Sequence, residues 1–107
     1  MRLYSITTVV EGWPSRESEQ YGGARTIAIC STLKRAKQII ERNEGDIFEY
    51  SYRYAVIATV QADALYGFLG LRQYRHWWYQ WVGDSSTGSY QRCECPQEYK
   101  HILWGIS

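Results

Sequence analysis

Residues 43–60, NEGDIFEYSYRYAVIATV, decide the fold of this chain. Asn43 and Gly45 are residues that stop a helix, because both tolerate the left-handed backbone of a C-terminal cap. Asp46 and Glu49 follow in a turn or short extended piece. Tyr50, Tyr52 and Tyr54 then fall at every second position, which in an extended chain makes a tyrosine stripe on one face, with Ser51 and Arg53 on the other. Residues 55–60, AVIATV, are β-branched and apolar and predict a strand. The stretch is thus a crossing from helix to sheet, and the segments on either side are read against it.

Working backwards, residues 32–43 carry Leu33, Ala36, Ile39 and Ile40 at helical spacing. Lys34, Arg35, Lys37, Gln38, Glu41 and Arg42 make the wet face, and Ser31 is placed to cap the first turn. Before the helix, residues 25–30 (RTIAIC) predict a short strand, and residues 2–10 (RLYSITTVV) a longer one whose two faces are both largely apolar or β-branched. Such a strand is expected at the centre of a sheet or covered on both sides. Residues 11–24, with Gly12, Pro14, Gly22 and Gly23, form a loop on composition. Its Trp13 and Tyr21 either fasten the loop or meet a ligand.

Working forwards, residues 61–75 hold a glycine-punctuated loop, Tyr66-Gly67-Phe68-Leu69-Gly70, which lacks the GK[ST] of a phosphate loop. Residues 76–82 (HWWYQWV) are a strand with His76, Trp78, Gln80 and Val82 on one face and Trp77, Tyr79 and Trp81 on the other. A face of three large rings is a core wall or a stacking platform; a core wall is the expected reading, since something must bury the helix. Residues 83–89 (GDSSTGS) form a hairpin loop, 90–93 a fifth strand, 96–99 a helical turn opened by Pro96, and 101–106 a last short strand or docked tail. The 107 residues are therefore expected to make a single α+β domain. In it a small antiparallel sheet, in the order β-β-α-β-β-β, carries its one main helix on one face.

Composition narrows the function classes. The net charge is +1 with no basic run, which argues against non-specific nucleic-acid binding and against a polybasic membrane anchor. No apolar run is long enough to span a bilayer and no signal peptide is evident, so a cytosolic protein is expected. Cys30 stands alone, and Cys93 and Cys95 are too close for an ordinary structural disulfide or a CxxC pair. No fourth ligand lies at zinc-finger spacing, so neither a metal nor a cofactor is expected.

The distinctive feature is the aromatic set: five Trp and ten Tyr against two Phe. Nearly every ring therefore carries a polar handle, as rings at half-wet interfaces do. Asp46 and Glu49 are the one tempting carboxylate pair. General acid/base work needs two carboxyls held about 5–10 Å apart across a substrate; the plainer expectation is that these acids cap a turn or pair with Arg25 or Arg53. No residue is assigned a catalytic role, and His76 is read as a solvated edge residue.

Several of these residues stand together in a familiar order. Arg25-Thr26, the run Asn43-x-x-Asp46-Ile47-x-Glu49, Tyr54-Ala55-Val56-Ile57, Trp78-Tyr79-x-Trp81 and Gly105-Ile106 resemble a group of short phage and bacterial proteins that has no established activity. The resemblance runs from about residue 25 to the C-terminus. Members of the group carry acidic residues after the YAVI strand, where this chain has Ala58 and Thr59, so no role of those acids transfers. The resemblance implies a mobile-element setting, in which small proteins without catalytic motifs act as inhibitors of host functions. They bind a host protein or sequester a signalling nucleotide.

The functional expectation is accordingly a non-enzymatic binding protein of anti-defence type. Tyr52, Tyr54, Trp78 and Trp81 are the candidate stacking rings, and Arg25, Arg53 and Arg75 the candidate anion contacts, for a nucleotide-like ligand. The alternative from another class is a protein–protein inhibitor or self-assembling module that uses the same rings as an interface. A homo-oligomer, dimer or higher, is expected, because one helix leaves a second sheet face to cover.

Overall fold

A computed structural model describes residues 2–10, 24–48, 52–61 and 75–99. The elements are β1 (Arg2–Val9), β2 (Ala24–Cys30), α1 (Leu33–Glu41), β3 (Tyr54–Gln61), β4 (His76–Val82) and β5 (Ser89–Cys93), followed by a 3₁₀ turn at Gln97–Tyr99. This is the α+β arrangement that the alternation and the single helical period call for. The five strands form one antiparallel sheet in the order β2-β1-β3-β4-β5. Residues 11–23 and 62–74, where the sequence predicts loops, and the residues from 100 onward lie outside the described residues, as do Met1, Glu49, Tyr50 and Ser51.

β1 and β3 are the inner strands. They pair without interruption from Arg2 opposite Gln61 to Val9 opposite Tyr54. On the other side of β1 the ladder with β2 is broken once: Ile6 faces Ala28 but Thr7 faces Thr26, so Ile27 is the extra residue of a β-bulge. Arg25 and Ala28, an odd number of positions apart, thereby come to the same face of the sheet. A regular strand would set them on opposite faces.

Each face of the sheet has its own core. On the helix side Ile6, Ala55, Ile57, Tyr79, Trp81 and Tyr90 pack with Ala36 and Ile40 of α1. On the other side Val9, Val56, Trp78 and Tyr99 form a smaller cluster, edged by Tyr54, Cys93 and Cys95. This explains why residues 2–10 show no polar face: Ser5, Ile6, Thr7, Thr8 and Val9 are all buried. The buried hydroxyls are satisfied locally, Thr7 Oγ1 lying 3.1 Å from Thr26 Oγ1 across the pair.

The helix starts one residue later than Ser31 would have it. Thr32 is the N-cap, extended at φ −132°, and its hydroxyl accepts the Arg35 N–H at 3.1 Å. It ends in a Schellman motif: Glu44 N–H donates to the Ile39 carbonyl and Asn43 N–H to that of Ile40, with Asn43 left-handed at φ 47°. Asn43 also holds the exit turn through its side chain, accepting Phe48 N–H at 3.1 Å and donating to Asp46 at 3.3 Å.

Ile40 is fully buried at the centre of the helix-side core. Ile40→Ala is expected to cost about 2–5 kcal/mol of unfolding free energy. A urea titration by circular dichroism checks this through a lowered midpoint with little change in slope.

Candidate functional site

Of the seven residues singled out as ligand contacts, two line one groove. Arg25 on β2 and Tyr52 ahead of β3 both line a groove of about 380 Å³ on the helix side of the sheet. Ile27, Ala28, Ile39 and Ile47 provide its apolar walls, and Arg35, Glu44, Gly45 and Asp46 its polar rim. The bulge at Ile27 is what puts Arg25 there, and the Asn43 turn folds residues 44–47 over the end of the helix to close the other side.

Tyr52 is 3 % exposed. Its carbonyl accepts the Tyr90 hydroxyl at 2.6 Å, a bond between groups 38 residues apart in sequence. Its own hydroxyl is buried and has no hydrogen-bond partner among the described residues. A buried phenol of this kind calls for a partner. Arg25 is exposed, and no carboxylate among the described residues pairs with it. Arg35, by contrast, grips Glu44 in a two-pronged pair, Nη1 and Nη2 each 2.7 Å from one carboxylate oxygen. That contact holds the Glu44 carboxyl below its usual range and raises the Arg35 guanidinium. Both groups are substantially exposed, so the pair adds little to stability.

The other five candidates are placed elsewhere. Trp81 is a core residue: Phe48 stacks on its ring at 4.1 Å and 8°, Tyr90 meets it edge-on at 5.0 Å, and its indole N–H donates to the Asp84 carbonyl at 3.0 Å. Arg53 donates to the Trp81 carbonyl at 3.1 Å. Trp78 and Tyr54 lie on the opposite face of the sheet. Trp78 is stacked parallel to Tyr99 at 5.8 Å, and Tyr54 stands edge-on to both. Arg75 precedes β4 and exchanges bonds with Thr59, four residues along β3 from Ala55, or about 13 Å from the row that holds Arg25.

The tyrosine stripe therefore does not form. β3 proper starts at Tyr54, and Tyr52, in the irregular residues before it, goes to the helix side while Tyr54 goes to the other. Asp46 caps the turn rather than pairing with Arg25 or Arg53; its partner is the Asn43 amide. Glu49 lies outside the described residues, so the Asp46–Glu49 pair does too. The residues that sequence reasoning missed are Ile27, Arg35, Ile39, Glu44 and Ile47. Arg35 and Glu44 are nine apart with a helix end between them, and no spacing rule pairs such residues.

At the β4–β5 hairpin Asp84 Oδ1 accepts four bonds, from the N–H and hydroxyl of both Ser86 and Thr87. These bonds bring its carboxyl down to about 2, the Thr87 hydroxyl contributing most. Cys30, Cys93 and Cys95 are free thiols, the first buried and the others half-buried. Among the described residues no group of three His, Cys, Asp or Glu side chains is placed to hold a metal, and no helix is long and apolar enough to cross a membrane.

Comparison with protein-family models, with curated proteins and with solved structures finds no match to this chain. The candidate site therefore stands on its own geometry.

Burial, then the nearness of Asp46 and Tyr52, push the Tyr90 phenol well above its ordinary value near 10. A group whose folded pKa is raised contributes fully below its unfolded pKa and loses that contribution as the pH climbs through the folded one. Stability is thus expected to fall above about pH 10. Tyr90→Phe is expected to flatten that fall and to cost about 1–2 kcal/mol at pH 7 by leaving the Tyr52 carbonyl without its donor. Thermal melts of both proteins between pH 7 and 11 check both statements. For Asp84 the sign is opposite: its contribution is present above about pH 4 and lost as the pH falls toward about 2. Asp84→Asn is expected to lose that part of the acid dependence in the same melts.

Proposed function

We propose that this chain is a non-enzymatic binding protein that holds a nucleotide-like small molecule in the groove between β2, α1 and the turn at residues 43–48. One observation carries the proposal. Among the described residues, a guanidinium without a carboxylate partner, on Arg25, and a buried phenol without a hydrogen-bond partner, on Tyr52, line the same concavity. Its volume falls in the range of small-molecule sites, about 300–1,000 Å³, and its walls are largely aliphatic with a few convergent polar groups. A nucleotide offers what such a groove can use: an anion for arginine, and a flat body with hydrogen-bonding edges for the interior.

The role that follows is sequestration. Among its described lining residues the groove supplies binding groups and no paired acid and base held in catalytic register. The resemblance to short phage and bacterial proteins favours a mobile-element setting, in which the bound molecule is a host signal withdrawn from its receptor. Ile29 supports a second reading, as a protein–protein inhibitor or self-assembling module. It is a large apolar side chain, 52 % exposed on the edge strand β2, where a partner chain or a second copy could add a strand.

Binding of mono-, di- and cyclic nucleotides, followed by intrinsic tryptophan and tyrosine fluorescence and by thermal shift, tests the proposal. At a ligand concentration of 100 Kd the wild type is expected to gain about 2.7 kcal/mol of apparent stability. Arg25→Ala is expected to weaken binding roughly ten- to hundredfold, the worth of a charged hydrogen bond. A wild type that responds to no nucleotide while sedimenting as a dimer, with Ile29→Lys returning it to a monomer, would overturn the ligand reading in favour of the second.

A further inference from the structure

Glu44 belongs to the groove and is also the acid that fills the Arg35 fork. We infer that Glu44 is the free protein's own stand-in for the anionic group of the ligand. On binding it gives up Arg35 to an anion that presents two terminal oxygens, a carboxylate or a phosphodiester. The inference rests on the groove reading above and names the chemistry of its ligand.

Four observations support it. The two parallel contacts of 2.7 Å between Arg35 and Glu44 are the same geometry by which arginine recognises carboxylates and phosphates in ligands. The pair is exposed, 49 % on the arginine and 32 % on the glutamate, so water solvates a displaced carboxylate at once. A buried pair would lock its members instead, because separating them strands a charge.

The backbone on both sides is anchored without the pair. Arg35 N–H is held by the Thr32 hydroxyl, Glu44 N–H by the Ile39 carbonyl, and the turn beyond by the Asn43 side chain. Exchange therefore needs only a side-chain rotation of Glu44. Finally, the charges of the lining balance. Among the described lining residues Arg25 and Arg35 face Glu44 and Asp46, two cations against two anions. Turning Glu44 outward leaves a surplus of one positive charge, which a single anionic group neutralises. A triphosphate would instead bring several negative charges beside Asp46. The ligand class is thus a monoanion with an apolar or aromatic body, and polyphosphates are disfavoured.

Isothermal titration of the full chain with three probes, 3′,5′-cyclic AMP, AMP and ATP, tests this at low and moderate salt. Wild type is expected to prefer the cyclic monoanion to ATP. Glu44→Gln is expected to bind that monoanion about tenfold more tightly, because the competing carboxylate is gone. Arg35→Ala is expected to weaken binding and to abolish the gain when combined with Glu44→Gln. The Arg35 side-chain NMR signal is expected to move on addition of the probe. Circular dichroism on each variant confirms that it is folded.

Equal affinity in wild type and Glu44→Gln, with Arg25→Ala still weakening binding, would overturn the exchange and leave the groove standing. So would a preference for ATP. Binding of none of the probes to wild type or to Glu44→Gln would overturn the groove reading and the inference together.

Discussion

Eight residues of β1 face eight of β3 in one unbroken antiparallel register, and the rest of the structure depends on it. Its partners lie between 45 and 59 residues apart in sequence, so this ladder is the long-range contact on which both cores rest. Its register decides which side chains go to which face. With Ile6 opposite Ile57 and Thr7 opposite Val56, one set of alternate residues meets the helix and the other meets Trp78 and Tyr99. A slip of one residue would exchange the two sets, and neither cover would fit.

Local departures from that regular frame make the groove. The bulge at Ile27 shifts β2 by one residue against β1, so that Arg25 joins Ile27 and Ala28 on the helix side. At the other end Asn43, left-handed where a right-handed residue would prolong the helix, turns the chain so that Glu44 and Asp46 reach the same space. Tyr52, just outside β3, is held by the bond from Tyr90 to its carbonyl and by burial. Each device costs some regularity in the sheet or helix. Together they set two arginines, two acids and a phenol around an apolar floor.

The elements themselves were legible because each rests on a periodicity that survives folding. The alternation of residues 76–82 and the helical spacing of Ala36 and Ile40 are local patterns, and both elements lie where those patterns put them. The core wall of Trp77, Tyr79 and Trp81 was legible for the same reason. The groove was legible only in part. Arg25 and Tyr52 stand out by residue type, but a bulge leaves no mark on composition, and it alone decides the face that Arg25 takes. Tyr52 and Tyr54 look equivalent in sequence, yet the point where β3 begins separates them by the thickness of the sheet. Phe48 on Trp81 and Arg35 on Glu44 are tertiary meetings across a helix end, which no periodicity encodes.

The excess of Tyr and Trp over Phe, the feature that first suggested a ligand, has a structural cause at Trp81 and Tyr90. A thin sheet with a core on each face brings large rings close to polar edges, and the handles are used there. The Trp81 N–H closes the β4–β5 hairpin, and the Tyr90 hydroxyl ties that hairpin to the chain ahead of β3. Gly88 shows how tightly this corner is built, since a Cβ there would come within 2.6 Å of the Asp84 and Val82 carbonyls. Among the described residues, Tyr52 does not use its hydroxyl in this way. It is as buried as Trp81 and Tyr90, but its hydroxyl joins no strand and closes no turn. The Trp81 and Tyr90 handles thus have a structural account, while the Tyr52 hydroxyl belongs to a residue that lines the groove with Arg25. The composition therefore says little about function as a whole, and the Tyr52 phenol at the groove says most.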